Sequence, residues 1–514
     1  MSSLNEAIAP SSALLLFLLL IPIIYLLLHK SRNPKNKGLN LPPGPPKLPI
    51  IGNLHLLAGK NPHQALFKLA QKYGPAMQLQ LGSIPTLIIS NADMAREMLQ
   101  IHDAEFCSRP DSPGMRKLSY GHLDVAFSPH SHYRTEMRKL FSYEMLKVKR
   151  EHSIWIARGD EMEKMVKNLT TLASTSTPVN LNDHIFAALD GIIGQVAFGK
   201  SYSGTQFNGQ RFQDVIDECM NMLESFTAED FYPNKIGRFI DIFTGYKARL
   251  ERLFNDLDGY FESVIAEHLN SNRVPTECED LVDVLLRLFR EGEGDFKLSM
   301  NHVKSMLLNT FVGGIDSTAV GIVWAMAEIL MHPNVLKKAT AEVRSIPKDK
   351  KSNMIEESDM KQLKYIKCIV KEIFRMHPPA PLLLPHEAIK STKIGKEQYD
   401  VLEKTRIFVN AWALGRDPAY WTDPDMFYPE RFENSDVEFK GGHFQLIPFS
   451  SGRRICPGVA MGSTTMTYVL TNLLYCFDWD FPEGVKREDV CMDEEGGVTI
   501  HKKTPLIVVP TRVN

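Results

Sequence analysis

The chain has 514 residues and a formal net charge of -2 at neutral pH, so its overall charge gives no attraction to nucleic acid. Its seven cysteines are odd in number and have no CxxC spacing, which argues against a disulfide framework and against a zinc site. Length alone would suggest about three domains, but no low-complexity linker, repeat or long charge run divides the chain after residue 50, so one large domain is the other interpretation.

The N-terminal segment predicts a membrane anchor. Residues 12–28 carry no charge and are dominated by Leu and Ile; with residues 7–11 they reach about 20 residues, enough to span a bilayer as a helix. Four basic residues follow at once: Lys30, Arg32, Lys35 and Lys37. The positive-inside rule then places residues 1–11 across the membrane and the bulk of the chain in the cytosol. A cleaved secretory signal is the alternative, but no basic region precedes the apolar run and no small-residue cleavage site follows it.

Residues 29–46 join this basic cluster to the run Leu41-Pro-Pro-Gly-Pro-Pro46. Proline fixes φ and disfavours a helical conformation in the residue before it. The segment therefore predicts a stiff, extended hinge between the anchor and a domain formed by residues 47–514.

A long apolar segment predicts a helix over residues 299–331, with the run GGIDST at residues 313–318 in its middle. Each glycine inside a helix costs about 1 kcal/mol relative to alanine, which indicates close approach of a ligand or a local opening of the helical hydrogen bonds. Beside the glycines, Asp316, Ser317 and Thr318 are able to pass protons into an apolar pocket. A glycine-rich kink with a capping Asp is the alternative on this motif alone.

Residues 361–376 predict an amphipathic helix on which Glu372 and Arg375 share one face. A solvated ion pair worth a few tenths of a kcal/mol is one interpretation of these two residues. The segment that follows, residues 377–387, contains four prolines and is expected to be extended rather than helical.

Cys456 is the most informative residue of the chain, because its thiol lies in the glycine-punctuated run FSSGRRICPG of residues 449–458. An apolar stretch with helical spacing follows from Val459, and Pro457 is expected at the first helical position. The sulfur would then lie at a helix N-terminus, where the partial positive charge favours thiolate. Such a thiolate with small neighbours suits a flat metal cofactor. A structural loop with a buried free cysteine is the alternative.

This run resembles the haem-binding loop of the cytochrome P-450 superfamily, whose pattern is Phe, two residues, Gly, one, Arg, one, Cys, one, Gly. Every fixed position is present: Phe449, Gly452, Arg454, Cys456 and Gly458. The glycine-rich run at 313–318 resembles the oxygen-activating motif of that family, although Ser317 stands where Thr is most frequent. The resemblance extends from about residue 42 to the C-terminus, and the hinge and C-terminal segment look most like plant microsomal members of specialised metabolism.

The resemblance implies a mainly helical fold with a small β region, preceded by one N-terminal transmembrane helix. Glu372 and Arg375 are similar to the family's helix pair, and Arg431 to the second arginine that joins it, so these three are expected to be structural. Residues 47–514 would form the haem-thiolate domain.

The resemblance also implies the roles of site residues. Cys456 would ligate the iron of haem b, in the loop that Phe449 and Gly458 complete. Arg138, Arg454 and His386 would hold the haem propionates. Arg134 stands where the family usually has Trp and would add a charge-assisted bond. Asp316, Ser317 and Thr318 would deliver protons to oxygen.

The substrate pocket is expected to include five residues: Gly313, Leu382, Leu383, Leu384 and Val498. Further pocket positions are expected in the ranges 106–127 and 220–239 and in the turn at residues 495–500, which resembles the family's last substrate-contacting turn. These assignments follow from the resemblance alone.

The implied activity is monooxygenation of a small, mainly apolar plant natural product, such as a terpenoid or an alkaloid, with O2. Electrons would come from NADPH through a separate flavoprotein reductase, because the chain has no dinucleotide motif. The enzyme would be a single-pass protein of the endoplasmic reticulum membrane with its catalytic domain facing the cytosol. Two alternatives stay open: a reductase-independent haem-thiolate lyase or isomerase of fatty-acid hydroperoxides, and a non-catalytic membrane haem protein.

Overall fold

The computed structural model describes residues 38–513, apart from residue 60 and the segments 146–147, 202–205, 208–209, 225–226, 274–278, 293–296 and 348–353. The predicted anchor, residues 12–28, lies outside the described residues. Residues 39–47, which include the proline run, have no helix or strand. This run lies against the domain, since the Gln78 amide donates to the Pro43 carbonyl (2.8 Å).

Helices form most of the regular secondary structure among the described residues, as predicted. In chain order they are α1 Pro62–Tyr73, α2 Ala92–Arg96, α3 Asp103–Phe106, α4 Pro113–Leu118, α5 His132–Met145, α6 Val148–Ala173, α7 Leu181–Phe198, α8 Phe212–Glu224, α9 Ala228–Phe231, α10 Lys235–Phe243, α11 Tyr246–Leu269, α12 Leu281–Glu291, α13 Met300–Gly314, α14 Asp316–Met331, α15 Pro333–Arg344, α16 Tyr365–Met376, α17 Ala411–Leu414 and α18 Val459–Cys476.

The strands form small sheets at the edges of the helical body, which agrees with the predicted β region. They are β1 Ala76–Leu81, β2 Ile84–Ile89, β3 Val179–Asn180, β4 Gln206–Phe207, β5 Gln210–Arg211, β6 His386–Glu387, β7 Thr392–Ile394, β8 Tyr399–Val401, β9 Arg406–Val409, β10 Phe477–Asp480, β11 Glu494–Gly496, β12 Ile500–Lys502 and β13 Ile507–Arg512. One sheet has the order β1-β2-β9-β6, with β2 and β9 parallel and the other neighbours antiparallel. A second sheet has the order β10-β13-β3, and β11 pairs with β12 in a hairpin.

Helix α14 lies at the centre of the hydrophobic core. Every residue from Ala319 to Leu330 is buried, and a helix that is apolar all round needs protein neighbours on every side. Helices α7, α16 and α18 supply them. The segment Met300–Met331 is long and apolar enough to cross a membrane, but 72% of its most apolar window is buried inside the protein. It is therefore a core element of the domain.

The glycine pair interrupts the helix predicted over residues 299–331. Helix α13 ends at Gly314 and α14 begins at Asp316, and Ser317 Oγ donates to the Gly313 carbonyl at the break (2.9 Å). A Cβ on Gly314 would lie 2.7 Å from Ile193 Cδ1 of α7, so glycine also allows two helices to pack closely. The structure thus shows the local opening that the sequence indicates and adds helix packing as a second reason for glycine.

A buried ion cluster joins α16 to the segment that follows α17. Glu372 and Arg375 are completely buried, and Arg375 Nε and Nη2 donate to the two Glu372 carboxylate oxygens (2.7 and 2.8 Å). Arg431 Nε and the Tyr428 amide also donate to Glu372 (3.0 and 2.8 Å). Arg375 in addition donates to the Gly415 carbonyl (2.7 Å). The surface ion pair is therefore the wrong interpretation of Glu372 and Arg375, because the loops around them cover both side chains.

Replacing Arg375 with Leu is expected to lower the free energy of unfolding by about 3–5 kcal/mol, because Glu372 would stay buried without its partner. Urea denaturation of the purified protein measures this. Arg249→Leu is the matched control, since Arg249 pairs with Glu218 at the surface and such a pair is worth at most about 1 kcal/mol. Equal losses in the two variants would contradict the structural role of the cluster.

Candidate active site

A cavity of about 360 Å³ lies between the α13–α14 break and the Cys456 loop, within the size range of ligand pockets. Its walls are mainly apolar. Most of the predicted site residues line it: Arg134, Arg138, Gly313, Ser317, Thr318, Leu383, Leu384, Phe449, Arg454, Cys456, Gly458 and Val498. Among the described members of the predicted set, Asp316, Leu382 and His386 are not part of this lining.

Hydrogen bonds and one glycine with a positive φ shape the Cys456 loop. Gly452 has a φ of 66°, and a Cβ at this position would lie 2.3 Å from the Leu99 carbonyl oxygen, so the turn requires glycine. The Cys456 amide donates to the Phe449 carbonyl (2.9 Å), and the Gly458 amide donates to Cys456 Sγ (3.3 Å). The sulfur is accessible from the cavity. These contacts aim the thiol at the α13–α14 break.

Two sequence-based details of this loop are wrong. Helix α18 begins at Val459 with Gly458 as its N-cap, so Pro457 lies before the helix and not at its first position. Burial raises the pKa of the Cys456 thiol, and this effect outweighs the lowering by the Gly458 amide and the Arg138 charge. The helix terminus alone therefore does not determine the pKa of this thiol, and binding of a metal ion would favour the thiolate.

Positive charge is concentrated beside this loop. Arg109, Arg134, Arg138 and Arg454 all line the cavity. Burial lowers the pKa of Arg454 to about 9, and the charge of Arg134 contributes. Burial and the charge of Arg138 lower the pKa of Arg134 to about 10. Burial followed by the charges of Arg454 and Arg134 also lowers the pKa of Arg109. All four are cations at neutral pH, and an anion in the cavity would stabilise them.

Backbone carbonyls hold three of these guanidinium groups in place. Arg454 donates to the Cys107 and Ser128 carbonyls (2.6 and 2.8 Å). Arg109 donates from Nη1 to the Leu384 and Pro385 carbonyls (2.9 and 2.8 Å), and Arg134 donates from Nη1 to the Arg453 carbonyl (3.1 Å). These bonds orient the cations without neutralising their charge.

Among the described residues, several polar atoms in this region are buried without a hydrogen-bond partner, and two of them belong to nitrogen bases: His386 Nε2 and Arg454 Nη1. His386 Nδ1 bonds the Phe106 carbonyl (2.8 Å), and burial with the nearby Arg109 charge lowers the pKa of its ring. A carboxylate beside Nε2 would favour the protonated ring, in which both nitrogens donate.

These residues fit a haem. The propionate carboxylates match the buried cations and the two partnerless atoms, and the Cys456 sulfur matches the iron.

The opposite wall carries the residues predicted to handle protons. Ser317 and Thr318 line the cavity on the first turn of α14. Asp316 is buried and its carboxylate is held by the C-terminal hairpin: Thr499 Oγ1 donates to Asp316 Oδ2 (2.6 Å), and His501 Nε2 lies 3.2 Å from Asp316 Oδ1.

Leu383, Leu384 and Val498 line the cavity as expected, and Leu383 has the unusual positive φ of 53°. Leu382 was predicted to line the cavity but does not. It packs against a separate cluster that includes Leu66 and Met77, because the chain turns at residues 380–383, where the Leu383 amide donates to the Ala380 carbonyl (3.1 Å).

Arg109 and Thr499 both touch the cavity, although sequence reasoning placed them only within predicted pocket segments and gave neither a specific role. Arg109 lies in the predicted pocket range 106–127 but belongs to no family motif. Thr499 directly follows the predicted Val498, and its hydroxyl is the sequence feature from which a polar role could have been predicted. The range 220–239 contributes Met220 and Leu223 to the lining.

Comparisons with known proteins agree with this geometry. The family model described as Cytochrome P450 matches residues 42–509. The chain is 50% identical over 506 residues to 4-hydroxyphenylacetaldehyde oxime monooxygenase of Sorghum bicolor, covering 96% of this chain and 94% of that protein. It is 47% identical over 507 residues to 2-methylbutanal oxime monooxygenase of Manihot esculenta, covering 98% of each. A solved zebra fish cytochrome P450 with abiraterone matches with a TM-score of 0.74 and 23% identity, over 88% of this chain and 99% of that one, which shows a common fold.

Proposed function

The chain belongs to the cytochrome P450 family, and from that premise we propose that it is a haem-dependent monooxygenase of plant specialised metabolism whose substrate is a small aldoxime. The observation that carries this proposal is the pair of plant relatives, one named for an aromatic and one for an aliphatic aldoxime, each covering nearly the whole chain. The terpenoid or alkaloid class expected from the resemblance is the alternative.

The cavity suits a ligand with one polar end. An aldoxime joins an N–OH group to an apolar tail. Phe127, Met220 and Leu223 line the cavity and offer apolar surface to the tail. Thr310 lines the same cavity and its hydroxyl donates to the Met306 carbonyl (3.0 Å), so its oxygen can still accept a hydrogen bond from the N–OH group.

The residues that would hold the haem are those of the buried cationic wall. Cys456 would ligate the iron, while Arg109, Arg134, Arg454 and His386 would bind the propionates. Arg138 would stabilise the thiolate, since its charge lowers the pKa of Cys456. A thiolate-bound haem supplies oxygen activation and O–O cleavage with electrons that a reductase takes from NADPH.

The other residues of the site would exclude water and supply protons. The overall reaction RH + O2 + NADPH + H⁺ gives ROH + H2O + NADP⁺, so two protons enter the site with two electrons in each turnover. Asp316, Ser317 and Thr318 carry the proton-handling groups at the α13–α14 break, where the opened helix leaves Gly313 facing open space. The intact acid and hydroxyls favour monooxygenation over the hydroperoxide lyase, which consumes no protons from this route.

Purified full-length protein with a plant NADPH-dependent flavoprotein reductase is expected to convert 4-hydroxyphenylacetaldehyde oxime or 2-methylbutanal oxime, and the product should carry one atom from ¹⁸O2. Mass spectrometry measures the label. A monoterpene, an alkaloid and a fatty-acid hydroperoxide form the comparison arms. Turnover of the terpene or alkaloid without turnover of either oxime would contradict the substrate class. Turnover of the hydroperoxide without NADPH would contradict monooxygenation.

We also propose that residues 12–28 span the endoplasmic reticulum membrane once and that α10 rests on its cytosolic face. Exposed apolar side chains on α10 support this: Ile236, Phe239, Ile242 and Phe243 are each more than half exposed. Ile50, just after the proline-rich hinge, is also exposed, and its carbonyl accepts a hydrogen bond from the Tyr232 hydroxyl beside α10 (3.2 Å). An apolar patch of this kind, next to the end of the hinge, favours contact with lipid.

In full-length protein inserted in lipid nanodiscs, a tryptophan introduced by Phe243→Trp is expected to be quenched by brominated lipids. Phe289→Trp on α12 is the control, because Phe289 is exposed but does not belong to α10. Fluorescence relative to the parent protein measures both. Equal quenching at the two positions, or none at position 243, would contradict contact between α10 and lipid.

A further inference from the structure

We propose that His501, Asp316 and Thr499 form the route by which protons pass from solvent to the oxygen-activating side of the cavity. This inference rests on the monooxygenase function proposed above. It adds two residues of the C-terminal hairpin to the acid and hydroxyls of α14. Thr499 reaches the cavity, and His501 acts through Asp316 as a positioning and proton-supplying residue.

The three side chains form a continuous chain of hydrogen bonds. His501 is 39% exposed at its side chain and brings Nε2 to 3.2 Å from Asp316 Oδ1. The Thr499 hydroxyl donates to Asp316 Oδ2 (2.6 Å) and also lies 3.2 Å from His501 Nε2. Thr499 is 95% buried and lines the cavity. One end of the chain is therefore in contact with solvent and the other with the pocket.

The direction of the Asp316 carboxylate supports this route. Asp316 is not among the residues that line the cavity, whereas Thr499 is. The Ser317 hydroxyl donates to the Gly313 carbonyl. The hydroxyl that joins the Asp316 carboxylate to the cavity wall therefore belongs to Thr499, whereas the hydroxyl of the neighbouring Ser317 bonds the backbone.

The hairpin that carries Thr499 and His501 is firmly attached to the core. The Ile500 carbonyl accepts from Trp324 Nε1 of α14 (3.0 Å), and the Ile500 amide donates to the Pro379 carbonyl (3.0 Å). On the neighbouring strand, the Glu494 carboxylate hydrogen-bonds His63 Nε2 (2.8 Å) and accepts a hydrogen bond from Trp412 Nε1 (3.1 Å). These bonds hold the relay at a fixed distance from α14, as proton transfer requires.

The surroundings of His501 suit a group that exchanges protons with water. Its ring stacks on Phe186 of α7 with 13° between the planes. Asp316 faces Nε2, and Glu495 is the cross-strand partner in the hairpin. An imidazolium beside Asp316 is able to give its proton to the carboxylate and to regain one from solvent. The protonated carboxyl can then donate to Thr499 Oγ, whose own proton passes to water in the cavity.

The test compares His501→Gln with the parent enzyme, full-length and with its reductase, on an aldoxime that the parent converts. Gln can hydrogen-bond Asp316 but cannot exchange a proton near neutral pH. We expect kcat to fall about a hundredfold and the solvent deuterium isotope effect on kcat to increase, with the spectrally measured Kd for substrate unchanged.

His332→Gln is the matched control. His332 follows the end of α14, is also 39% exposed at its side chain, and lies 3.4 Å from a carboxylate oxygen of Glu328. It lies outside the residues that line the cavity, so its kcat and isotope effect should match those of the parent. For the hydroxyl, Thr499→Val should lose more kcat than Thr499→Ser.

A second readout does not depend on turnover. In protein with ¹³C-labelled histidine, the NMR signal lost in His501→Gln identifies the ring, and its pKa should fall by about 1 pH unit in Asp316→Asn. An unchanged titration would overturn the pairing. Equal kcat in His501→Gln and His332→Gln would overturn the route, as would a loss that follows a lower Tm and weaker substrate binding. A parent enzyme that converts no substrate would instead contradict the proposed function.

Discussion

Buried positive charge beside the Cys456 loop is the constraint on which the rest of the site depends. Arg109, Arg134 and Arg454 lie in the cavity wall and donate hydrogen bonds to backbone carbonyls. Burial lowers the pKa of each guanidinium group. Charges removed from water need a counter-charge close by. The two propionate carboxylates of a haem would supply this counter-charge, and its iron would bind the Cys456 sulfur. Electrostatics and metal ligation therefore point to the same ligand.

The remainder of the fold keeps the two walls of the cavity at a fixed separation. Helix α14, which is buried from Thr318 to Leu330, supplies the rigid wall that carries Ser317 and Thr318. The cluster of Glu372 with Arg375 and Arg431 ties α16 to the segment after α17, and Phe374 of α16 packs against Phe449 of the Cys456 loop with ring centroids 5.1 Å apart. Glu372, Arg375 and Arg431 therefore affect the reaction indirectly, because they help to fix the position of the Cys456 sulfur.

Features encoded by short local patterns could be predicted from the sequence: the Cys456 loop, the glycine break and the Glu372–Arg375 pair. Features that depend on contacts between distant segments could not. Thr499 and His501 meet Asp316 only because the hairpin folds onto α14, and no local pattern marks that pairing. The side of the chain to which Leu382 points depends on the turn at residues 380–383, and the pKa of Cys456 depends on burial. Both were mispredicted, because spacing reports neither orientation nor desolvation.

The identity of the iron ligand is tested most directly by the carbon monoxide difference spectrum of the reduced full-length protein. The parent protein should show the long-wavelength Soret band of a thiolate-ligated haem, and Cys456→Ser should lose that band. Cys491→Ser, at a partly exposed cysteine that does not line the cavity, should keep it. A Cys456→Ser protein that retains the thiolate-type band would contradict the assignment of Cys456 and with it the proposed organisation of the site.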